Sequence, residues 1–192
     1  MSWGILLGGG RSSRMGSDKL ELDREGRSVA TWAVAALTAV ADKVVFVSPE
    51  RPGLGSGARL YALEDPPFGG PVAGLVAGLE LVPVDVGDVY VLAGDLAWPD
   101  AVVRRLARAP LGPDGVAHVD AEGWTQYLAA RYRTAALRQK LAELEGERDV
   151  SVRRALHGLR LATVPVPDAV VGDLDTPEQA ADLGFTTPDA HK

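Results

Sequence analysis

The sequence predicts an α/β protein on a largely parallel sheet, with a β-hairpin added late in the chain. Three observations carry this. Short apolar runs alternate with helix-periodic segments over the first 110 residues, the pattern of parallel strands joined by right-handed crossovers. The apolar runs stop abruptly at turns, Trp3–Leu7 at Gly8-Gly9-Gly10 and Asp88–Ala93 at Gly94-Asp95. After residue 110 the alternation gives way to two strand-like segments flanking Asp120-Ala121-Glu122-Gly123, which reads as a hairpin.

Taken in order, Trp3-Gly4-Ile5-Leu6-Leu7 is a buried strand feeding a tight loop. Val29, Trp32, Ala33, Ala36, Leu37 and Val40 recur at helical spacing, so residues 29–41 form a helix. Residues 43–48 are a second strand, 51–57 a loop rich in Pro and Gly, and Tyr61-Ala62-Leu63 a brief third strand. A helix begins at Gly70 and reaches about Val82, with Pro71 near its first position, where the missing N–H costs nothing. Asp88–Ala93 is the next strand and Pro99–Ala109 the next helix. Val116–Val119 and Gln126–Tyr132 are the hairpin arms; residues 134–146 and 151–158 are helical, and Leu161–Val166 is a late strand. Thr176 suits an N-cap and Pro177 the first position of a last helix.

The chain has 192 residues, 46% of them hydrophobic and 24% charged, which fits a globular domain rather than disorder or coiled coil. One domain over residues 1–185 is expected, with 186–192 a frayed tail. The absence of Cys excludes disulfides, thiolate zinc sites, iron–sulfur clusters and a Cys nucleophile. The charge-free stretches, residues 28–41 and 66–79, fall short of the roughly 20 residues a bilayer requires. Met1-Ser2-Trp3-Gly4 has no basic n-region, so a cytoplasmic protein is expected. A net charge of −6 argues against nucleic-acid or membrane-surface binding.

Against that acidic background, Arg11, Arg14 and Lys19 fall close together in the glycine-rich opening segment. Glycines permit positive φ and let a charged oxygen approach the main chain. The segment is no Walker A loop, and Ser13 stands where the dinucleotide fingerprint needs its third glycine. On these residues alone it is either a phosphate cradle or a solvated turn.

The run Gly8-Gly9-Gly10-Arg11-Ser12-Ser13-Arg14-Met15-Gly16-Ser17-Asp18-Lys19 closely resembles the signature loop of the MobA-like nucleotidyltransferases, G-G-x-S-x-R-M-G-x-D-K. Three further blocks follow in family order: Glu64-Asp65 before Gly70-Pro71-Val72-Ala73-Gly74-Leu75, then Leu92-Ala93-Gly94-Asp95, then Asp173-Leu174-Asp175-Thr176-Pro177-Glu178. The resemblance implies a three-layer α/β/α sandwich with a mostly parallel, Rossmann-like sheet, similar to nucleotide-diphospho-sugar transferases. It implies transfer of a nucleoside monophosphate from a triphosphate to a phosphorylated acceptor, with release of pyrophosphate. In the molybdenum cofactor guanylyltransferases of this family the donor is GTP and the acceptor molybdopterin carrying molybdenum. Molybdoenzyme apoproteins are then further partners, and a monomer is the default.

Carried over by position, Leu7, Gly8, Gly9, Gly10, Ser12 and Arg14 line the nucleotide, and Lys19 meets its phosphates. Asp65 sits near base or ribose, Gly70 opens the next block, and Asp95 binds Mg²⁺. Asp173 or Asp175 falls near metal and acceptor. Arg14, Lys19 and Asp95 are the expected catalytic groups. The chemistry agrees, because charge on the α-phosphoryl oxygens and the leaving pyrophosphate is stabilised by positioned cations. The attacking phosphate, with a second pKa of about 6, needs no general base. His118, His157 and His191 are accordingly expected to be structural or superficial.

Two departures stand out. Asp95-Leu96-Ala97-Trp98-Pro99 lacks the family's early proline, and Ser48-Pro49-Glu50-Arg51 stands where an Asn often reads guanine. Guanylyl transfer from GTP to molybdopterin is the leading expectation, with Glu50 and Asp65 as candidate acceptors for a guanine edge; cytidylyl transfer, or another MobA-like transfer to a different phosphorylated acceptor, is the alternative. A non-catalytic nucleotide-binding accessory is the reading from another class.

Overall fold

The structure is a computed structural model that describes residues 1–8, 18–51, 59–64, 67, 69–165, 174 and 176–187. Its strands are β1 (Ser2–Leu7), β2 (Asp23–Arg24), β3 (Arg27–Ser28), β4 (Lys43–Val47), β5 (Arg59–Ala62), β6 (Asp88–Ala93), β7 (Gly115–Val119), β8 (Thr125–Arg133) and β9 (Leu161–Pro165). The helices are α1 (Val29–Thr38), α2 (Pro71–Glu80), α3 (Pro99–Arg108), α4 (Thr134–Ala142), α5 (Val152–Leu156) and α6 (Pro177–Asp182), and a 3₁₀ turn covers Lys19–Glu21.

Among the described residues, seven strands make one sheet in the order β5-β4-β1-β6-β8-β7-β9. Neighbours pair in parallel except along β8, which runs antiparallel to both β6 and β7. The expected hairpin is therefore the device that inserts the one reversed strand. Period-two alternation splits each strand between two cores. Leu6, Val44, Phe46, Tyr90 and Leu92 share one with α1, α3 and α6. Ile5, Leu7, Val45, Val47, Val89 and Val91 share the other with α2, α4 and α5. Helices thus cover both faces, and the expected α/β/α sandwich is the observed architecture. Among the described residues, no helix is long and apolar enough to cross a membrane.

Local chemistry explains the element ends. Ser28 caps α1 by accepting from Thr31 N at 3.2 Å. Thr176 and Gln179 form a reciprocal capping box on α6, with Pro177 in its first turn. The helix expected over 134–146 ends earlier, at Ala142, before a segment containing Gly146. The one expected over 151–158 ends at Leu156, followed by Gly158 at φ 92°, a conformation that suits glycine. The β2–β3 hairpin is an addition: Glu25 and Gly26 both have positive φ, 57° and 74°, as a two-residue hairpin turn demands. Thr186 stands where the expected tail begins. It exchanges backbone hydrogen bonds with Asp23, each 2.8 Å, in an isolated antiparallel bridge. Residues 188–192 lie outside the described part.

His118 on β7 is fully buried and ties two neighbours together: Nε2 lies 3.0 Å from Val102 O on α3, and Nδ1 lies 3.3 Å from Val164 O on β9. Burial holds its imidazole below the ordinary histidine pKa, outweighing the carbonyls that favour protonation. The unfolded chain therefore takes the proton first. His118 contributes no penalty above about pH 6.5, and a growing one as the pH falls from there through the depressed folded value. The urea midpoint of the wild type should drop more than that of His118→Gln between about pH 7.5 and pH 5.5. Equal drops would refute this account.

Candidate active site

Four strands end together at one edge of the sheet, and backbone bonds lock their ends. Gly94 N donates to Leu7 O at 2.8 Å, Gly8 N to Val47 O at 3.0 Å, and Ser48 N to Ala62 O at 3.0 Å. A Cβ on Gly94 would lie 2.8 Å from Leu7 O and 3.3 Å from Gly8 Cα. One on Gly8 would lie 2.2 Å from Phe46 Cε2. Glycine at these positions is thus a matter of contact distance. This edge is the carboxyl end of the parallel strands β1, β4, β5 and β6, where open α/β sheets bind ligands.

Lys19 and Asp95, some 76 residues apart in sequence, meet here with Nζ to Oδ2 at 3.4 Å. Both are partly shielded, the side chains 16% and 30% exposed. Asp95 follows directly on β6 and Gly94. Lys19 begins the 3₁₀ turn, whose preceding residue Asp18 accepts from Leu20 N through Oδ1 at 3.0 Å. Leu20 and Leu22 are buried in the core beside Phe46, which anchors the turn. Leu174, also fully buried, donates its N–H to Asp95 O at 3.2 Å.

Gly70 caps α2 at φ 91° with no side-chain cap, leaving the first amides of that helix without intrahelical acceptors. The start of α2 lies over the strand ends: a Cβ on Gly74 would stand 3.3 Å from Val47 Cγ1, 3.6 Å from Leu7 Cδ2 and 4.0 Å from Glu64 Oε2. On the other side of Asp95 a hollow of about 270 Å³ is lined by Ala93, Leu96, residues 125–129 of β8, Val152 and Arg153. The structure therefore brings Leu7, Gly8, Gly70, Lys19 and Asp95 to one end of the sheet. Gly9, Gly10, Ser12, Arg14, Asp65, Asp173 and Asp175 lie outside the described residues. Among those described, no group of three or more His, Asp or Glu is placed to hold a metal ion.

The departures from the family pattern have structural occupants. Trp98 packs on the buried Arg24, whose guanidinium carbon lies 4.0 Å from its ring centroid, 4.4 Å from that of Phe185 and 5.3 Å from that of Trp32. Arg24 also donates to Ala97 O at 3.2 Å, so the loop after Asp95 is held without the proline. Arg51, absent from the sequence-derived site, donates to Asp18 and Glu21, which flank the Lys19-Leu20 pair. Its ion-pair partners sit 30 and 33 residues away, a separation that hid it from motif reading.

The model of the MobA-like NTP transferase domain matches residues 4–163, most of the chain. The chain belongs to the MobA-like NTP transferase family. It is a nucleotidyltransferase. A molybdenum cofactor guanylyltransferase of Cereibacter sphaeroides is 29% identical over 190 residues, covering 93% of each chain. The fold is shared with Rv0371c of Mycobacterium tuberculosis, at TM-score 0.72 and 24% identity over 95% of this chain and 96% of that one. It is also shared with molybdopterin-guanine dinucleotide biosynthesis protein A of Archaeoglobus fulgidus, at TM-score 0.64 and 19% identity over 96% and 97%.

The contact at Gly94 makes a direct prediction. Gly94→Ala should force β1 and β6 apart at the edge where Asp95 begins, since the nearest obstructing atom is the Leu7 carbonyl oxygen, with Leu20 Cδ2 and Gly8 Cα beside it. It should lower the unfolding free energy by about 1–3 kcal/mol in urea titrations and reduce nucleotidyl transfer. Unchanged stability would show that the strand ends have slack.

Proposed function

We propose that the chain is a Mg²⁺-dependent guanylyltransferase, acting as one domain over residues 1–185, that transfers GMP from GTP to molybdenum-bearing molybdopterin. An oxygen of the acceptor phosphate attacks the α-phosphorus, the bond from that phosphorus to the bridging oxygen breaks, and pyrophosphate leaves. The observation that most supports this is the 3.4 Å pair of Lys19 and Asp95 at the carboxyl end of the sheet. The guanylyltransferase names of the relatives support the choice of donor and acceptor.

The residues present fit Mg²⁺. Asp95 offers a partly exposed carboxylate, a hard oxygen donor, and Mg²⁺ commonly takes one or two carboxylates alongside substrate phosphates and water. Asp95 would hold the ion, with Asp173 or Asp175 as the second carboxylate. Bound there, the ion would neutralise charge on the phosphates and polarise the α-phosphoryl group.

The chain's own residues do the rest. In the free protein Asp95 gives Lys19 a counter-charge, which keeps the ammonium at the mouth of β1. In this reading the triphosphate takes over as the partner of Lys19, aided by Arg14 and by the amides of the Gly8-Gly9-Gly10 loop. A phosphate acceptor is ionised at neutral pH, so no proton acceptor is required. His118 is buried between β9 and α3, consistent with chemistry free of histidine. The hollow beside Asp95 gives the acceptor room on the side of the carboxylate away from β1.

Pyrophosphate release with Mg²⁺, acceptor and each of GTP, CTP, ATP and UTP tests this reading. GTP should be preferred, and chelation of the metal should abolish release. Lys19→Ala, Asp95→Asn and Arg14→Ala should each lower kcat by about 10²-fold or more, the usual cost of losing a transition-state charge partner. Preference for CTP would overturn the guanylyl assignment. Tight nucleotide binding without release would make the chain an accessory protein, and near-wild-type turnover in all three variants would remove the mechanism.

A further inference from the structure

We propose that Arg51 is a positioning residue for Lys19: its guanidinium clamps both ends of the turn that carries the lysine. This inference rests on the reading of Lys19 as a phosphate-binding group. Arg51 follows β4, in the segment where the family pattern often places a base-reading Asn. Here the segment is committed elsewhere. Arg51 donates from Nη2 to Asp18 Oδ2 at 2.6 Å, from Nη1 to Glu21 Oε1 at 2.5 Å and from Nε to Ser48 Oγ at 2.9 Å. Ser48 is fully buried, and its hydroxyl donates a hydrogen bond to Pro49 O at 3.0 Å. Tyr61 OH donates to Arg51 O at 3.3 Å, and the Tyr61 ring stacks on Phe46 at 6.0 Å between centroids. The Arg51 side chain is 15% exposed, although both carboxylates it grips are open to solvent.

The geometry gives the clamp two effects on Lys19. Mechanically, Asp18 uses one oxygen to cap Leu20 N and the other to take Arg51. The cap is thereby fixed to β4, and with it the direction in which Lys19 leaves the backbone. Electrostatically, Asp18 and Glu21 are two negative charges beside a cation that must attract a polyanion. Arg51 offsets them at hydrogen-bond distance, so less of the Lys19 field is spent on its neighbours. A planar fork with divergent donors is needed to span three acceptors, which a lysine cannot do.

Amide hydrogen exchange on the free protein and steady-state kinetics on the same variants form the test. In Arg51→Ala the amides of Leu20 and Glu21 should exchange about tenfold faster or more, given the loss of charge-assisted bonds, while those of β1 and β6 keep their rates. The variant should lose about tenfold in kcat for pyrophosphate release, with a smaller change in KM for GTP. In a Lys19→Ala background the same substitution should cost less than about twofold, because its effect runs through the lysine. Arg51→Lys, which keeps the charge without the fork, should recover part of kcat but little of the exchange protection. Unchanged exchange at Leu20 and Glu21 would overturn the clamp. Losses that multiply independently of Lys19, or a changed preference among nucleotides, would make Arg51 a direct nucleotide contact instead. If the wild type released no pyrophosphate from any nucleotide, the function assigned to Lys19 would fail, while exchange would still decide whether Arg51 holds its turn.

Discussion

The constraint on which this site depends is the close approach of backbone to backbone where β1, β4 and β6 end. Leu7 O receives the Gly94 amide at 2.8 Å, and Val47 O receives the Gly8 amide at 3.0 Å. A Cβ on Gly94 would meet the backbone of Leu7, and one on Gly8 the ring of Phe46. Because the strands close up so tightly, the residues that leave them are forced out at one edge and within reach of each other. The acidic residue after Gly94 and the basic residue of the first turn meet there, the latter held by its anchored turn.

Around that constraint the two faces of the sheet perform different tasks. The face shared with α1, α3 and α6 anchors the segments that carry Lys19 and Asp95: Leu20 and Leu22 fix the lysine turn, and Leu174 donates to Asp95 O. Arg24, held among three aromatic rings, joins the loop after Asp95 to the C-terminal helix region. The face shared with α2, α4 and α5 instead brings a helix start over Leu7 and Val47. One side thus sets the carboxylate and lysine, and the other brings the start of α2 over the same strand ends.

Much of this was legible in the sequence, for identifiable reasons. The strands β1, β4 and β6 are short apolar runs ending at turns, and α1 and α2 carry regular apolar spacing. The Gly8–Lys19 run and the Gly94-Asp95 pair are dense enough in unusual residue types to stand out by themselves. Less legible were elements whose signal is only two or three residues long. The β2–β3 hairpin rests on two positive-φ residues, Glu25 and Gly26. Thr186, read as tail, is fixed by a bridge to Asp23, a partner 163 residues distant. The ends of α4 and α5 were overrun because apolar spacing continues past the point where capping stops the helix.

Composition, periodicity and one glycine-rich motif, acting over a few neighbouring residues each, determined the class of fold, the order of its strands in the chain and the family's chemical vocabulary. What they could not determine was which side chains share a partner. That Arg51 bonds Asp18 and Glu21, that Trp98 packs on Arg24, and that Lys19 reaches Asp95 were decided by the sheet order. Pairing between distant segments depends on how layers stack, and stacking is a property of the whole chain closing on its core rather than of any local stretch.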